Sequence, residues 1–400
     1  MRPRDVWVTG VGSVTAAGAG ADAAPAALRS GCPSVTAQPD LGGMVLGRVP
    51  ELVLSRAARH LDRSAALFLA AAEEAWRRAH LDDRLARPDR AGVIEGSSLG
   101  PLAGCLAAVR ERVAAGDDAP PRPTGLIRFM TGAGGAAFAQ SRGLLGPVLH
   151  LSAGSVSAAC AIGEAFRKIR AGEADVLVAG GAESPLQRDV IELFRAAGLL
   201  VAPADDAAPC RPFDVARAGT VLGEGAGVLV LEAAAHAARR GAEPLAIVRG
   251  YGLASESYSM TRPDPDGGGV TAAARLALGR RPWTPLGWIK AHGTRTKLND
   301  AAECRGLARL LGATLPAIPL TSLKPALGHC LGASGAVEAV VAVMALREGV
   351  VPPTLGTTMV DPELPPCTVA LQCRPALAAR VLLLSESFGG RCAALVISRN

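Results

Sequence analysis

Apolar runs broken by glycine- and proline-marked turns fill the chain, and the sharpest of these transitions lies between Gly146 and Ser184. There GPVLHL reads as a buried strand, Ala153, Gly154 and Ser155 as a tight small-residue turn, and the next segment as a helix. A second buried strand, Asp175 to Ala179, is closed by Gly180 and Gly181. Residues 57 to 80 set Leu61, Ala65, Leu67, Phe68, Ala71, Ala72 and Trp76 on one helical stripe, with His60 and His80 as solvated or capping groups at its ends. Residues 5 to 18 predict a short strand entering a strand-to-helix turn at Gly10 and Gly12; Thr15 stands where a dinucleotide fingerprint needs its third glycine. Residues 228 to 232 (VLVLE) predict another strand, and Gly223, Gly225 and Gly227 before it suit close backbone packing better than a phosphate cradle. DDAPPRP at 117 to 123 and the Pro/Asp/Ala stretch at 203 to 210 read as loops, and 236 to 245 as a soft boundary before a second half.

Composition narrows the class of protein. With 400 residues, 49% hydrophobic and only 3% aromatic, the chain has ample core for tightly packed α/β layers and few rings for stacking bases. Its +6 formal charge is spread without a run of five like charges, which argues against a nucleic-acid stripe and is compatible with an acidic or phosphate-bearing partner. Nine scattered cysteines, odd in number and never spaced C-x-x-C, point to reduced thiols in a cytoplasmic protein and away from a zinc site or a disulfide framework. No uncharged apolar run reaches membrane-spanning length, so a membrane protein is not expected.

Against that background a few polar residues stand out. Ser155 sits where a strand gives way to a helix, so its hydroxyl either caps the helix or serves as a nucleophile near orphan N–H groups that favour developing negative charge. WIKAHGTRTKLND (288 to 300) puts His292 on a glycine turn after a strand, and TSLKPALGHCLGASGAVE (321 to 338) puts Lys324 and His329 in a loop leading to a helix. Acyl transfer needs a nucleophile, a base or cation beside it, and donors for an oxyanion, and Ser155, His292 and His329 could supply that set.

Six segments in order, VTGVGSVTAAG, ADVLVAGGAES, RPFDVARAGTVLGEGAGVLVLE, SMTRPDPDGGG, AHGTRTKLND and KPALGHCLGASGAVEAV, resemble the β-ketoacyl synthase family of the thiolase superfamily over almost the whole chain. The resemblance implies a thiolase-like duplicated αβαβα layered α/β fold with mixed sheets, its halves at 1–245 and 246–400. It implies a homodimer, or a heterodimer with another ketosynthase. It also implies acyl groups delivered as thioesters on the phosphopantetheine arm of an acidic acyl carrier protein, with no cofactor or metal held by the chain itself. His292 and His329 fall on the family's catalytic histidines, Lys324 on the lysine supporting the second, and Thr294 and Thr296 on threonines that contact the pantetheine arm. The Phe388 backbone N–H falls where it joins that of the nucleophile in an oxyanion hole.

Two departures from the family pattern bear on chemistry. Ser155 aligns with the catalytic cysteine, while Cys160, five residues on, reads as a packing residue. In the C-terminal gate, Glu386 and Ser387 replace a Phe-Gly pair, whereas Phe388, Gly389 and Gly390 are kept, so a substrate-facing flap becomes acidic and polar. An ionised Glu386 facing the site would oppose a malonyl carboxylate, since like charges about 4 Å apart at an effective dielectric of about 20 repel by roughly 4 kcal/mol; the alternative is that it points to solvent from a mobile loop. The leading expectation is therefore a carrier-protein-dependent acyltransferase of polyketide or related secondary metabolism, with Ser155 forming an acyl ester. The alternatives are a decarboxylative ketosynthase, with serine natural or engineered at this position, and a non-catalytic chain-length-type partner subunit. An α/β-hydrolase is disfavoured because Ala-Gly-Ser-Val-Ser is not the Gly-x-Ser-x-Gly elbow.

Overall fold

The computed structural model describes residues 4–53, 55–81, 85–116, 124–201, 210–279 and 285–400, apart from the Arg56 side chain. The loop expected at 117–123, and that at 203–210 except its last residue, lie outside them. One large sheet organises the chain. Its strands are β1 (Val6–Thr15), β2 (Ala91–Gly96), β3 (Val148–Leu151), β4 (Val176–Glu183), β5 (Gly225–Ala233), β6 (Ala246–Ser255), β7 (Trp288–Lys290), β8 (Pro319–Thr321), β9 (Thr368–Val369), β10 (Arg380–Ser387) and β11 (Arg391–Ser398), with Gly18–Ala19 paired to β1. In the order β3-β2-β4-β5-β1, the first three run parallel and β5 and β1 antiparallel. The order β8-β7-β10-β11-β6 repeats that pattern, with β9 added at its edge. The two sets meet where Val6, Trp7 and Val8 of β1 pair with Val248, Ile247 and Ala246 of β6, so the mixed sheets expected one to each half are joined edge to edge.

Helices complete five layers. Helix α1 (Arg63–Arg78) covers one outer face, and its Leu67, Phe68, Ala71, Ala75 and Trp76 pack on β-strand valines at 93, 176, 178, 228 and 230. Helix α2 (Ser157–Ala171) follows β3, and helix α3 (Gly268–Leu278) and helix α4 (Lys297–Leu311) cover the other outer face. The one-turn helix α5 (Lys324–Leu327) follows β8, and helix α6 (Ser334–Glu348) lies beside α2 in the central layer, buried by residues of both strand sets. Small residues permit this density. A Cβ on Gly335 would stand 2.8 Å from the Ala159 Cβ, and one on Gly227 of β5 2.4 Å from Val337 N. The glycines before VLVLE thus serve close packing, although Gly225 and Gly227 belong to the strand itself.

Several boundaries differ from the sequence expectation for one physical reason: glycine here admits a neighbouring backbone and does not turn the chain. Strand β1 continues through Gly10 and Gly12, because a Cβ at either would lie 2.1 Å from a carbonyl oxygen of α1, that of Ala75 or Ala71. Strand β4 likewise continues through Gly180 and Gly181 to Glu183. Strand β3 is not buried; it forms the sheet's edge, with Val148 and Leu149 exposed. Cys160 packs in the central core, and all nine cysteines are free thiols. No helix among the described residues is long and apolar enough to cross a membrane. Gly12→Ala should therefore cost about 1–3 kcal/mol in chemical denaturation, whereas Gly125→Ala, where a Cβ meets nothing within 4 Å, should leave stability nearly unchanged; equal unfolding midpoints for the two variants would contradict the packing described.

Candidate active site

The turn between β3 and α2 is braced by Ser157 and not by Ser155. Gly154 takes φ +67°, Ser157 Oγ donates to Gly154 O at 2.6 Å, and Ala153 N–H donates to Ser157 Oγ at 2.8 Å. The helix start carries no side-chain cap from Ser155, so the capping alternative falls and the hydroxyl is left free. Ser155 Oγ instead lies 3.4 Å from His329 Nε2. That separation is at the long end for a hydrogen bond, as is common before substrate tightens a site.

The second half of the chain supplies the histidines from two loops at strand ends. His292 follows β7, and its N–H and that of Gly293 donate to the Glu303 carboxylate on α4 at 2.5 and 2.9 Å. His329 follows α5, and its Nδ1 pairs with Ser334 Oγ at 2.9 Å, at the start of α6. The two rings stand edge to face with centroids 5.2 Å apart. Burial is the main force holding both imidazoles well below their ordinary 6.5, with the Lys324 charge next, so both are neutral at pH 7.

Behind them lies a charged cluster of which the sequence showed only Lys324, and that lysine meets His292, the first histidine, where the second was expected. Lys324 Nζ donates to Glu338 Oε1 at 2.9 Å and to the His292 carbonyl oxygen, and sits 3.4 Å from His292 Nδ1. Lys290 Nζ donates to the other oxygen, Glu338 Oε2, and to Leu384 O at 2.5 Å. One carboxylate therefore bridges two ammonium groups, all three nearly inaccessible to water. A lysine inside the apolar strand WIK and a glutamate inside the apolar helix GAVEAVV were the available signals.

The remaining expected residues divide. Thr294 and Thr296 share a 2.9 Å hydroxyl contact beside His292, Thr294 buried and Thr296 half-buried. Ser387, the last residue of β10, comes to the Ser155 turn: its Oγ accepts from Ser155 N–H at 2.9 Å. Phe388 is half exposed, and Gly389 and Gly390 take φ +81° and +68° in the turn before β11. Glu386 is the correction. It is 5% exposed in the penultimate position of β10, so it does not point to solvent. By strand alternation it shares the face of Leu382 and Leu384, which pack in the α3/α4 layer, whereas Val381 and Leu383 face the central layer. Its neighbours are Glu256 and Cys392, whose ligand atoms all lie within 4.8 Å of its own. Burial first, then the charges of Glu303, Glu256 and Asp300, push its carboxyl well up and favour the neutral acid. The charge repulsion expected of an ionised, site-facing Glu386 is therefore not supported.

Residues 51–237 match the family described as beta-ketoacyl synthase, N-terminal domain, and residues 245–358 its C-terminal domain. The chain belongs to the β-ketoacyl synthase family. It is 34% identical over 364 residues to the tetracenomycin polyketide synthase ketoacyl synthase alpha subunit of Streptomyces glaucescens, covering 86% of this chain and 83% of that protein. It is 36% identical over 342 residues to 3-oxoacyl-[acyl-carrier-protein] synthase 2 of Rhizobium meliloti, covering 84% and 79%. Among solved structures it superposes with a TM-score of 0.91, at 28% identity and full coverage of both chains, on a type II polyketide ketosynthase in complex with its acyl-carrier protein and bound to the hexaketide. A β-ketoacyl synthase from Burkholderia phymatum gives 0.90 at 30% identity, covering 99% of this chain and 100% of that one. The layered fold is thus the thiolase-like one of the ketosynthases.

The charge balance at Glu338 is open to test. Lys290 lies among the charges that lower both imidazoles, so Lys290→Met should move both histidine pKa values upward toward 6.5 in an NMR titration; unchanged or lower values would refute the coupling. Glu338→Gln leaves two buried ammonium groups without their carboxylate and should destabilise the fold by about 3–5 kcal/mol in denaturant melts.

Proposed function

We propose that this ketosynthase-like chain is an acyltransferase of polyketide or related secondary metabolism that takes an acyl group from a carrier-protein thioester onto Ser155. The observation that carries this reading is the Ser155 Oγ to His329 Nε2 approach. With His329 Nδ1–H donating to Ser334, the neutral Nε2 faces the serine hydroxyl and accepts its proton as Oγ attacks the thioester carbonyl. The new C–O bond forms, the C–S bond breaks, and the pantetheine thiol leaves with the proton returned by His329. Lys324, as an ammonium, donates toward His292 Nδ1, so His292 carries its ring N–H on Nε2 and can donate to the oxygen that gains charge. In the second step an alcohol, an amine or water attacks the acyl ester; His329 takes the acceptor's proton and returns it to Ser155 Oγ as the acyl C–O bond to the serine breaks.

The partner expectations find support in surface features. A cleft of about 530 Å³ beside Thr296 is lined by Arg217, Arg262, Lys297 and Arg305 against Asp361 and Glu363; with Arg217 paired to Asp361, the remaining cations exceed the acids and suit an acidic carrier protein. The unpaired edge of β3, with its exposed valine and leucine, suits burial against a second subunit. Similar solved structures include a ketosynthase with its carrier protein and a ketosynthase/chain length factor pair. A second reading, decarboxylative condensation, is favoured by the place of Glu386: neutral and turned to the outer layer, it presents no charge against a malonyl carboxylate. The partner-subunit reading is weakened by the intact set of His292, His329, Lys324 and Glu338 around the nucleophile turn.

Incubation with acyl-carrier protein followed by intact mass should reveal a covalent adduct that Ser155→Ala abolishes; an adduct that persists in this variant overturns the assignment. Ser155→Cys given acyl and malonyl carrier proteins separates the two chemistries, robust carbon–carbon bond formation favouring condensation. Because the histidines titrate well below 6.5, the acylation rate should stay level as pH falls from about 8 through that value, losing the base only in more acid solution. A rate that halves near pH 6.5 would contradict a buried neutral base.

A further inference from the structure

The amide that should stabilise the oxyanion is already in use. Ser155 N–H donates to Ser387 Oγ at 2.9 Å, so an oxygen stands in the position that the carbonyl oxygen of an incoming thioester must take if this N–H is to bind it. The contact is closely built. A Cβ on Gly154 would fall 2.1 Å from Ser387 Oγ, so only glycine before the nucleophile leaves room for that hydroxyl. On the other side, Arg391, paired with Ser387 across the β10/β11 hairpin, brings Nη1 to 3.2 Å from where a Cβ on Gly389 would stand and 3.9 Å from that on Gly154. Ser387 is also one of the two positions at which the gate segment departs from the family pattern, which has glycine there. A glycine could not fill the amide in this way.

We propose that Ser387 is a specificity-determining residue whose hydroxyl acts as a resident occupant of the Ser155 amide, to be displaced by the acyl carbonyl before Ser155 can be acylated. The exchange is oxygen for oxygen. The N–H stays satisfied in the resting enzyme, and a thioester gains from it only the difference between its own hydrogen bond and the one Ser387 gives up. A carbonyl that is held by further contacts along its acyl chain or pantetheine arm displaces the hydroxyl by rotation of the serine side chain, whereas a small thioester with few such contacts competes poorly. The occupant therefore selects against short, weakly anchored acyl donors and shields Ser155 from adventitious acylation.

This inference rests on the acyl-serine reading only for its consequence, not for the contact. Ser387→Ala removes the hydroxyl while keeping the strand. In the full-length protein, hydrogen exchange at the Ser155 amide, followed by NMR with selectively labelled serine, should quicken in Ser387→Ala; an unchanged exchange rate overturns the proposal. With acetyl-pantetheine as the probe, the rate of adduct formation by intact mass should rise about ten-fold or more in Ser387→Ala, and Ser387→Gly should behave alike. Quicker exchange with an adduct rate that is unchanged or lower overturns the displacement role. If no adduct forms in either protein while exchange quickens, the occupied amide stands and it is the acyl-serine reading that fails.

Discussion

The carboxylate of Glu338 between Lys290 and Lys324 is the interaction on which the rest of the site depends. Both lysine side chains are buried, and each finds its hydrogen-bond partners in this carboxylate and in a carbonyl oxygen, that of Leu384 or His292; burial pushes the Lys290 ammonium below its ordinary value, and the Glu338 charge opposes that shift. The arrangement joins four pieces of chain: strand β7, helix α5, helix α6 and strand β10. Burial first, and the charges of Lys324 and Lys290 after it, oppose protonation of both histidine rings. The same contact orients His292 through its Nδ1, so stability and tautomer are set together.

Packing explains why serine and histidines meet at all. Ser155 follows a strand of the first set and His329 lies in a loop after a strand of the second, and they approach because helices α2 and α6 lie side by side between the two strand sets of the one sheet. That contact tolerates nothing larger than Gly335 against Ala159. Both helices begin at the same end of the molecule, one just after Ser155 and the other just after His329. The Ser155 turn and the His329 loop are therefore carried by rigid elements, and the distance between them is fixed by helix packing.

The gate segment shows how neighbouring substitutions act in opposite directions. Along an extended strand consecutive side chains face opposite layers, so Glu386 goes outward to Glu256 and Cys392 while Ser387 goes inward to Ser155. The conspicuous acidic change thus lies on the opposite face of the strand from the Ser155 turn. The modest change, a serine where the family pattern has glycine, places a hydroxyl on the Ser155 amide.

The sequence by itself determined the family, the layered α/β class, the serine turn and both histidines, because these depend on local patterns: strand-to-helix turns, glycine-flanked loops and a characteristic order of segments. It misplaced the ends of β1 and β4, since a glycine that turns the chain and a glycine that admits a helix look the same in a string of letters. It missed Lys290, Glu338, Glu303 and Ser334, whose roles exist only through partners on other elements, some close in the chain and some far along it. The direction of Glu386 and the occupation of the Ser155 amide were decided by tertiary structure alone. Strand register chooses which of two adjacent residues meets Ser155, and register is a property of the assembled sheet.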